Sequence, residues 1–182
     1  LLIKHLIEKP YSNASFYEED ILKWDYSILS KETKVIGNLP YYISSPILFK
    51  LLKIQTWKKM VLMFQKEVAQ RIVSKPRLKS YGRLSIISQV YSEPNIEFNI
   101  SRNAFYPKPD VDSTVVSFSP KNDNLPEISS FSNFIQKSFS QRRKKLKNNL
   151  NDNQISNLLN EYADLRPEEL SPKDYIHLFQ RI

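Results

Sequence analysis

Residues 34–46 read KVIGNLPYYISSP, and they join a short apolar run to the start of a helix. The run Lys34–Gly37 is typical of a buried strand that stops at a glycine. Ser45-Pro46 predicts a helix start, because serine caps a first turn and proline suits its first position. Asn38-Leu39-Pro40-Tyr41 therefore follows a strand and precedes a helix. In a parallel sheet that place is the carboxyl edge of the strands, where ligands bind.

Alternating strand and helix patterns continue along the first two thirds of the chain. They predict an α/β protein with a largely parallel sheet. The last two strands have no helix between them, which allows an antiparallel edge. The predicted helices are 1–8, 45–52, 65–73 and 81–90, and the predicted strands are 15–17, 34–37, 57–64, 96–100 and 113–118.

The composition changes after Pro120, where a polar segment containing proline, residues 121–126, predicts a linker. Beyond it, Phe131, Phe134, Ile135 and Phe139 fall on one helix face, and a last helix is predicted near Asp174–Gln180. We therefore divide the chain into an α/β part, residues 1–119, and a helical part, residues 120–182. About sixty residues form a marginal core alone, so the helical part should pack on the α/β part.

Composition excludes several classes of function. The 182 residues contain no cysteine and two histidines, so there is no disulfide framework, no thiolate site, and no metal-ligand spacing. No apolar run approaches the roughly 18 residues of a membrane span, and residues 1–9 lack a secretory pattern. The chain starts with leucine, and we expect it to be an N-terminally truncated product.

Positive charge is concentrated in the middle of the chain. The net charge is +8, and residues 51–120 hold 11 Lys and Arg against 5 Asp and Glu. Such an excess favours a polyanionic partner over a balanced solvated surface.

The turn at Asn38 suits one kind of chemistry. The N6 amine of adenine is a poor nucleophile because its lone pair is delocalised into the ring. Two hydrogen-bond acceptors aimed at its two N–H groups would draw the nitrogen towards tetrahedral geometry, which points the lone pair at a methyl donor. The Asn38 side chain and the Leu39 carbonyl could supply both acceptors, and Tyr41 could stack on an extruded base. The same four residues also occur in ordinary turns.

Five blocks in order resemble the ribosomal RNA adenine dimethyltransferases, in their small-subunit branch. They are NLPYYIS at 38–44, FQKEVA at 64–69, YGRLS at 81–85, FYPKPDVDS at 105–113 and FSQRRKK at 139–145. The resemblance implies a truncated Rossmann-like, S-adenosylmethionine-dependent methyltransferase core with a small C-terminal all-helical domain. It also implies N6,N6-dimethylation of two adjacent adenosines near the 3′ end of small-subunit rRNA, by a cytoplasmic monomer acting on a pre-30S particle.

The resemblance assigns roles at the target base. Asn38 would accept from N6 through its side chain and Leu39 through its carbonyl, with Pro40 fixing that backbone. Tyr41 would stack on the flipped adenine, and Phe105 would close on it from the other side.

The resemblance also implies cofactor and RNA contacts. Asp20 would bind the adenine amino group of S-adenosylmethionine, Ile21 would flank that ring, and Asn38 would lie beside the cofactor. A basic run on a predicted helix, with Leu146 and Leu150 on its other face, would bind rRNA phosphates. The expected RNA-binding residues are Arg83, Arg142, Arg143, Lys144, Lys145 and Lys147.

The chain departs from the family pattern at its start. The family's glycine-rich cofactor loop has no counterpart, because the only glycines are Gly37 and Gly82. We therefore expect weak or no cofactor binding and no turnover by these 182 residues. Two alternatives stay open: a large-subunit rRNA methyltransferase of the macrolide-resistance type, and a non-catalytic rRNA-binding assembly factor.

Overall fold

The structure is a computed structural model that describes residues 13–121, 124–150 and 161–181. The predicted helix at 1–8 therefore lies outside the described residues. In chain order the main elements are β1 (Lys34–Asn38), α1 (Ser44–Ile54), β2 (Lys59–Gln65), α2 (Lys66–Ile72), α3 (Arg83–Tyr91), β3 (Ser92–Ile100), β4 (Ser113–Pro120), α4 (Ile128–Ser138) and α5 (Pro172–Phe179). Short 3-10 helices lie at Tyr26–Ile28, Tyr41–Ile43, Arg102–Ala104, Leu146–Asn148 and Pro167–Glu169.

The four strands form one mixed sheet in the order β1-β2-β4-β3. β1 and β2 run parallel, whereas β4 runs antiparallel to both β2 and β3. The prediction of a largely parallel sheet is therefore wrong for the described residues, because one of their three pairings is parallel. The connection between β3 and β4, residues 101–112, contains no α-helix, and it joins the two strands as a long hairpin.

Helices cover the sheet, and its inner strands are the most buried. Six successive residues of β4, Ser113–Phe118, are buried, as expected for a strand covered on both faces. β2 alternates instead: Met60, Leu62 and Phe64 are buried, and the residues between them are partly exposed. The buried side of β2 belongs to the same core cluster as the apolar residues of α1 and α3.

Helix α1 follows the Asn38–Tyr41 turn and fixes it to the core. Its buried residues Ile47, Leu48, Leu51 and Leu52 recur at the three- and four-residue spacing of one helix face. The helix ends at Gln55, which adopts a left-handed conformation with φ of 51°. The Trp57 indole then donates to the Leu51 carbonyl at 2.9 Å, which ties the end of α1 to the approach to β2.

The C-terminal helices pack on the α/β part through aromatic side chains. Phe131 of α4 meets Tyr91 of α3 edge to face, with ring centroids 6.1 Å apart. Two buried phenols donate to carbonyls in the segment before α5: Tyr81 to Leu170 at 2.9 Å and Tyr175 to Pro167 at 2.7 Å. Burial raises the pKa of both tyrosines, so the hydroxyls remain protonated donors at neutral pH.

Two local predictions are wrong. Residues 15–17 form no strand. The basic run Arg142–Lys147 does not form an α-helix, because α4 ends at Ser138 and turns and a short 3-10 helix follow. The backbone N–H groups of Leu146 and Lys147 donate to the carbonyls of Leu165 and Ala163, so they are not available to a continuing helix. Leu146 and Leu150, which the sequence predicts on the other face of that helix, are buried.

Two further observations concern the described part of the chain. None of its helices combines the length and apolar character that crossing a membrane requires. Nor do its His, Asp and Glu side chains form a group of three or more that could hold a metal ion.

Glu127 caps helix α4, and its loss should destabilise the protein in a pH-dependent manner. Its carboxylate accepts from the backbone N–H groups of Ser129 and Ser130 at 2.8 and 2.7 Å, which lowers its pKa from 4.5 to about 2. Because the folded pKa is the lower one, the stabilisation is complete above about pH 4.5 and lost as pH falls towards 2. We expect Glu127→Ala to lower Tm by about 2–4 °C at pH 7.

Thermal unfolding followed by circular dichroism between pH 2.5 and 7 tests this expectation. Glu97→Ala is the control, because Glu97 is exposed on β3 and makes no side-chain hydrogen bond to the described residues. A Tm difference for Glu127→Ala that is as large at pH 2.5 as at pH 7 would contradict the capping assignment.

Candidate functional site

The Asn38–Tyr41 turn lies at the edge of the sheet where β1 and β2 end. Asn38 is the last residue of β1 and pairs with Met63 near the end of β2. It is exposed, and its side-chain amide makes no hydrogen bond to any described residue. Pro40 follows with φ of −59° and ψ of 124°, and its carbonyl accepts from the Ile43 N–H at 3.1 Å. The turn thus presents an unengaged amide beside a backbone held by proline.

Gly37 makes room for the side chain of Leu39. A Cβ at position 37 would stand 2.9 Å from the Leu39 Cδ2 and 3.0 Å from the Leu62 Cδ2, which is closer than side chains pack. The Leu39 side chain is therefore buried against the strand. Its carbonyl accepts no backbone hydrogen bond within the described ranges, which leaves that oxygen available beside Asn38.

Tyr41 is held at both its backbone and its phenol. The Ser44 hydroxyl donates to the Tyr41 carbonyl at 2.9 Å, and the Tyr41 hydroxyl lies 2.6 Å from the Ser113 hydroxyl. The ring is half-buried, whereas the neighbouring Tyr42 is 86% exposed. Of these two adjacent tyrosines, only Tyr41 faces the start of β4.

Phe105 lies in the loop that joins β3 to β4, and this loop opens at the same edge of the sheet. Ile100, at the end of β3, pairs with Ser113, which in turn pairs with Gln65 at the end of β2. The loop is closed at its base: the Arg102 N–H donates to the Asp112 carboxylate at 3.0 Å. Phe105 is half-buried within it. The structure therefore brings Asn38, Tyr41 and the Phe105 loop to one edge.

Asp20 and Ile21 lie on a separate turn that is attached to helix α1. The Lys50 ammonium of α1 donates to the carbonyls of Leu22 and Trp24 at 2.6 and 3.1 Å. The Asp20 carboxylate accepts from the Leu22 N–H at 2.9 Å, so one of its oxygens is occupied by its own turn. Its second oxygen is 4.0 Å from the ammonium of Lys23, at a half-exposed position.

Two adjoining clefts run from this edge towards the C-terminal segment. The smaller, of about 490 Å³, is lined by the last residue of β2, by α2 and by the Phe105 loop, including Arg102 and Asp112. The larger, of about 910 Å³, lies between α1, α2, the start of α3 and residues 139–142. Glu67 and Gln70 line both clefts. The cationic side chains of the larger cleft are those of Arg71, Lys79, Arg83 and Arg142.

Several of the predicted RNA-binding residues form ion pairs with acidic side chains of the same chain. Arg142 contacts Glu168 at 2.5 Å. Lys145 and Lys147 both contact Asp164 at 2.9 Å, and their hydrogen bonds and charge lower the pKa of that carboxyl to about 2. Arg83 donates to the Gln136 side chain at 3.3 Å. Arg143 and Lys144 are exposed and form no ion pair with the described residues, so they carry the most accessible charge of the run.

Sequence reasoning missed three residues that organise this edge. Ser113 and Asp112 close the Phe105 loop, and Lys50 holds the turn that carries Asp20. Asp112 and Ser113 belong to the FYPKPDVDS block, but no local sequence pattern links them to Tyr41 or Arg102. A lysine on the second turn of a helix normally indicates a solvated face. These contacts join segments between 10 and 72 residues apart, and only the fold reveals them.

Comparison with known proteins gives concordant matches. The family model described as ribosomal RNA adenine dimethylase matches residues 1–182. Proteins named ribosomal RNA small subunit methyltransferase A are similar to this chain. The one from Malacoplasma penetrans is 37% identical over 97% of this chain and 70% of its own length. The one from Francisella tularensis subsp. novicida is 42% identical over 92% of this chain and 69% of its own length.

Solved structures share the fold. A dimethyladenosine transferase from Plasmodium falciparum has a TM-score of 0.82 and 27% identity, covering 97% of this chain and 75% of its own. The 23S rRNA methyltransferase ErmE has a TM-score of 0.67 at 20% identity, covering 99% and 77%, which indicates the fold alone. With a family model that spans every residue and relatives this similar, the chain belongs to the ribosomal RNA adenine dimethylase family.

Proposed function

We propose that the full-length protein dimethylates N6 of two adjacent adenosines near the 3′ end of small-subunit rRNA, with S-adenosylmethionine as methyl donor. One observation carries the proposal. The Asn38 side-chain amide and the Leu39 carbonyl, which form no hydrogen bond with other described residues, stand together at the edge where Tyr41 and the Phe105 loop meet. The reaction needs two acceptors for the amine and aromatic surface for the extruded base.

The two oxygens act on the amine without removing a proton beforehand. Asn38 and Leu39 each accept one N–H of the target N6, which draws the nitrogen from planar towards tetrahedral. Because both acceptors are attached to one turn fixed by Pro40, they are oriented before the base arrives, and little reorganisation is needed at the moment of transfer. Tyr41 and Phe105 supply the stacking surfaces that replace the base's neighbours in RNA.

S-adenosylmethionine, when bound, supplies the electrophilic methyl group. The described residues fit its adenine end: the outer oxygen of Asp20 is free of backbone contacts, and Ile21 exposes an apolar side chain beside it. Asn38 would lie beside the methyl donor as well as the target base. Lys50 keeps the Asp20 turn attached to α1, the helix that follows the base-contacting turn.

The small-subunit assignment rests on the curated relatives. Proteins 37–42% identical to this chain carry the small-subunit name, whereas ErmE is 20% identical and supports only a common fold. We further propose that the protein acts as a monomer in the cytoplasm, on a ribosomal small-subunit precursor. Residues 1–119 would act on the base, and residues 120–182 would bind rRNA.

The clefts and the exposed cations supply a path for the RNA backbone. The larger cleft carries Arg83 and Arg142 on its walls and adjoins the smaller cleft at Glu67 and Gln70 of α2. Arg143 and Lys144 extend the positive surface beyond it. Ion-paired Lys145 and Lys147 would have to exchange Asp164 for phosphate, which makes their contribution smaller than their charge suggests.

Replacing Asn38 should remove methyl transfer and leave RNA binding intact. We expect Asn38→Ala to slow transfer by about 10²–10³-fold, because one of the two acceptors is lost. Transfer of labelled methyl groups to a small-subunit rRNA fragment by the full-length protein measures the rate, and filter binding measures the affinity. The control is Asn133→Ala, which alters an exposed asparagine on α4. A near-normal rate in Asn38→Ala would remove the proposed mechanism.

Replacing Phe105 should weaken capture of the target base, whereas replacing its neighbour should not. Base–aromatic stacking is worth roughly 1–3 kcal/mol, so we expect Phe105→Ala to reduce kcat/KM by about 5- to 150-fold. Tyr106→Ala is the matched control, because that ring is adjacent in the loop and fully exposed, at 102%. Equal losses in the two variants would mean that the loop contributes generally and that Phe105 has no special role.

Removing two exposed cations should reduce the salt dependence of RNA binding. Each phosphate contact contributes roughly 0.7–0.9 to the slope of log K against log salt, so Arg143→Ala with Lys144→Ala should lower it by about 1–2. Titrations of an rRNA fragment between 50 and 300 mM salt measure the slope. Lys173→Ala on α5 is the control. An unchanged slope in the double variant would place the phosphate path elsewhere.

A further inference from the structure

The contact between Tyr41 and Ser113 joins two motifs that are 72 residues apart. Their hydroxyl oxygens are 2.6 Å apart, within the range of a strong O–H···O hydrogen bond. Ser113 is fully buried, at 0% exposure, whereas Tyr41 is half-buried. A buried hydroxyl needs a partner, and the Tyr41 phenol is the partner of this one.

Ser113 is held rigidly by the sheet. It is the first residue of β4 and pairs with Gln65 on one side and Ile100 on the other. Immediately before it, the Asp112 carbonyl accepts from the Lys66 N–H at 3.0 Å. Since the backbone is fixed on both sides, the Ser113 hydroxyl offers its hydrogen-bond partner a well-defined position.

Anchoring the phenol fixes the direction of the long axis of the Tyr41 ring, because the hydroxyl oxygen lies on that axis. A tyrosine ring turns about two side-chain torsions, and its hydroxyl is the atom farthest from the backbone. With the Tyr41 carbonyl held by Ser44 and the phenol held by Ser113, both ends of the residue are restrained. A ring restrained in this way keeps its position at the edge of the sheet, and the preference of a phenol O–H for the plane of its ring favours one ring orientation for stacking.

The same serine also ends the loop that carries Phe105. That loop runs from Ile100 to Ser113, and its base is closed by the bond between Arg102 and Asp112. A displacement of Ser113 would therefore move the Tyr41 phenol and one end of the Phe105 loop together. The two stacking rings thus share one reference point in the sheet.

We propose that Ser113 is a positioning residue: its hydroxyl orients the Tyr41 ring for stacking on the target adenine, in register with the Phe105 loop. The inference rests on the proposed function, since it presumes an extruded base between these rings. It explains why a tyrosine, and not a phenylalanine, suits position 41, because stacking alone needs no hydroxyl.

The test removes the hydrogen bond from each side and from both. Ser113→Ala, Tyr41→Phe and the double variant are compared by single-turnover methyl transfer to an rRNA fragment, with RNA affinity and cofactor KM measured in parallel. We expect each single variant to slow transfer by about 3- to 10-fold, the range of one hydrogen bond. RNA affinity should stay within about twofold, and the double variant should be no slower than the slower single variant.

Ser117→Ala is the matched control. Ser117 is buried four residues along the same face of β4, and its hydroxyl forms no hydrogen bond with the described residues. The control should transfer methyl groups at the wild-type rate. If Ser113→Ala does not fold, Tyr41→Phe still breaks the same bond without altering the central strand.

A second readout separates this inference from the proposed function. NMR spectra of ¹³C-labelled tyrosine in the RNA-free protein should show one set of ring chemical shifts for Tyr41. In Ser113→Ala these chemical shifts should move towards the averaged values of a mobile tyrosine ring. A wild-type protein that transfers no methyl group would contradict the proposed function while leaving this ring test intact. A normal transfer rate in Ser113→Ala, multiplicative losses in the double variant, or an unchanged ring spectrum would each overturn the inference.

Discussion

The pairing of β4 between β2 and β3 is the constraint on which the site depends. Because β4 runs against both neighbours, it starts at the edge where β2 and β3 end. Parallel pairing of β1 with β2 brings Asn38 to that same edge. Segments that are remote in sequence therefore meet there: the turn after β1, the loop before β4 and the start of α2. The chemistry needs this meeting, since amine acceptors and stacking surfaces must surround one base.

In the C-terminal third, a count of lysines and arginines overstates the positive charge that is accessible to RNA. The basic run contains five cations, yet Arg142, Lys145 and Lys147 are paired with Glu168 and Asp164. These ion pairs connect the basic run to residues 161–169, so the same side chains stabilise this part of the fold and carry its positive charge. The free charge that remains is concentrated in Arg143 and Lys144, where partners outside the chain can reach it.

Local patterns in the sequence predicted the elements near the site well. The apolar run before Gly37, the Ser45-Pro46 helix start and the strands at 57–64 and 113–118 correspond to β1, α1, β2 and β4. Residues 15–17 are apolar enough for a strand, but they do not adopt strand structure in the described part of the chain. The basic run was expected to be helical because its leucines are spaced for a helix face; the carbonyls of Ala163 and Leu165 capture its backbone instead. Tertiary contacts decide whether these backbone N–H groups bond within a helix or to a distant segment, and the spacing of leucines in the sequence does not reveal such contacts.

The hydrogen bonds of the Lys50 ammonium differ from the ion pairs of the C-terminal third, because their acceptors carry no charge. The acceptors are the peptide oxygens of Leu22 and Trp24, which stay uncharged at any acidity, and the ammonium also lies 4.7 Å above the centre of the Tyr26 ring. Acid that protonates Glu127 and Asp164 would strip the cap from α4 and the bridges from Lys145 and Lys147. The contact between the Asp20 turn and α1 would keep its acceptors under those conditions. Acidification to about pH 2 should therefore weaken the C-terminal third, whereas the hydrogen bonds of Lys50 remain.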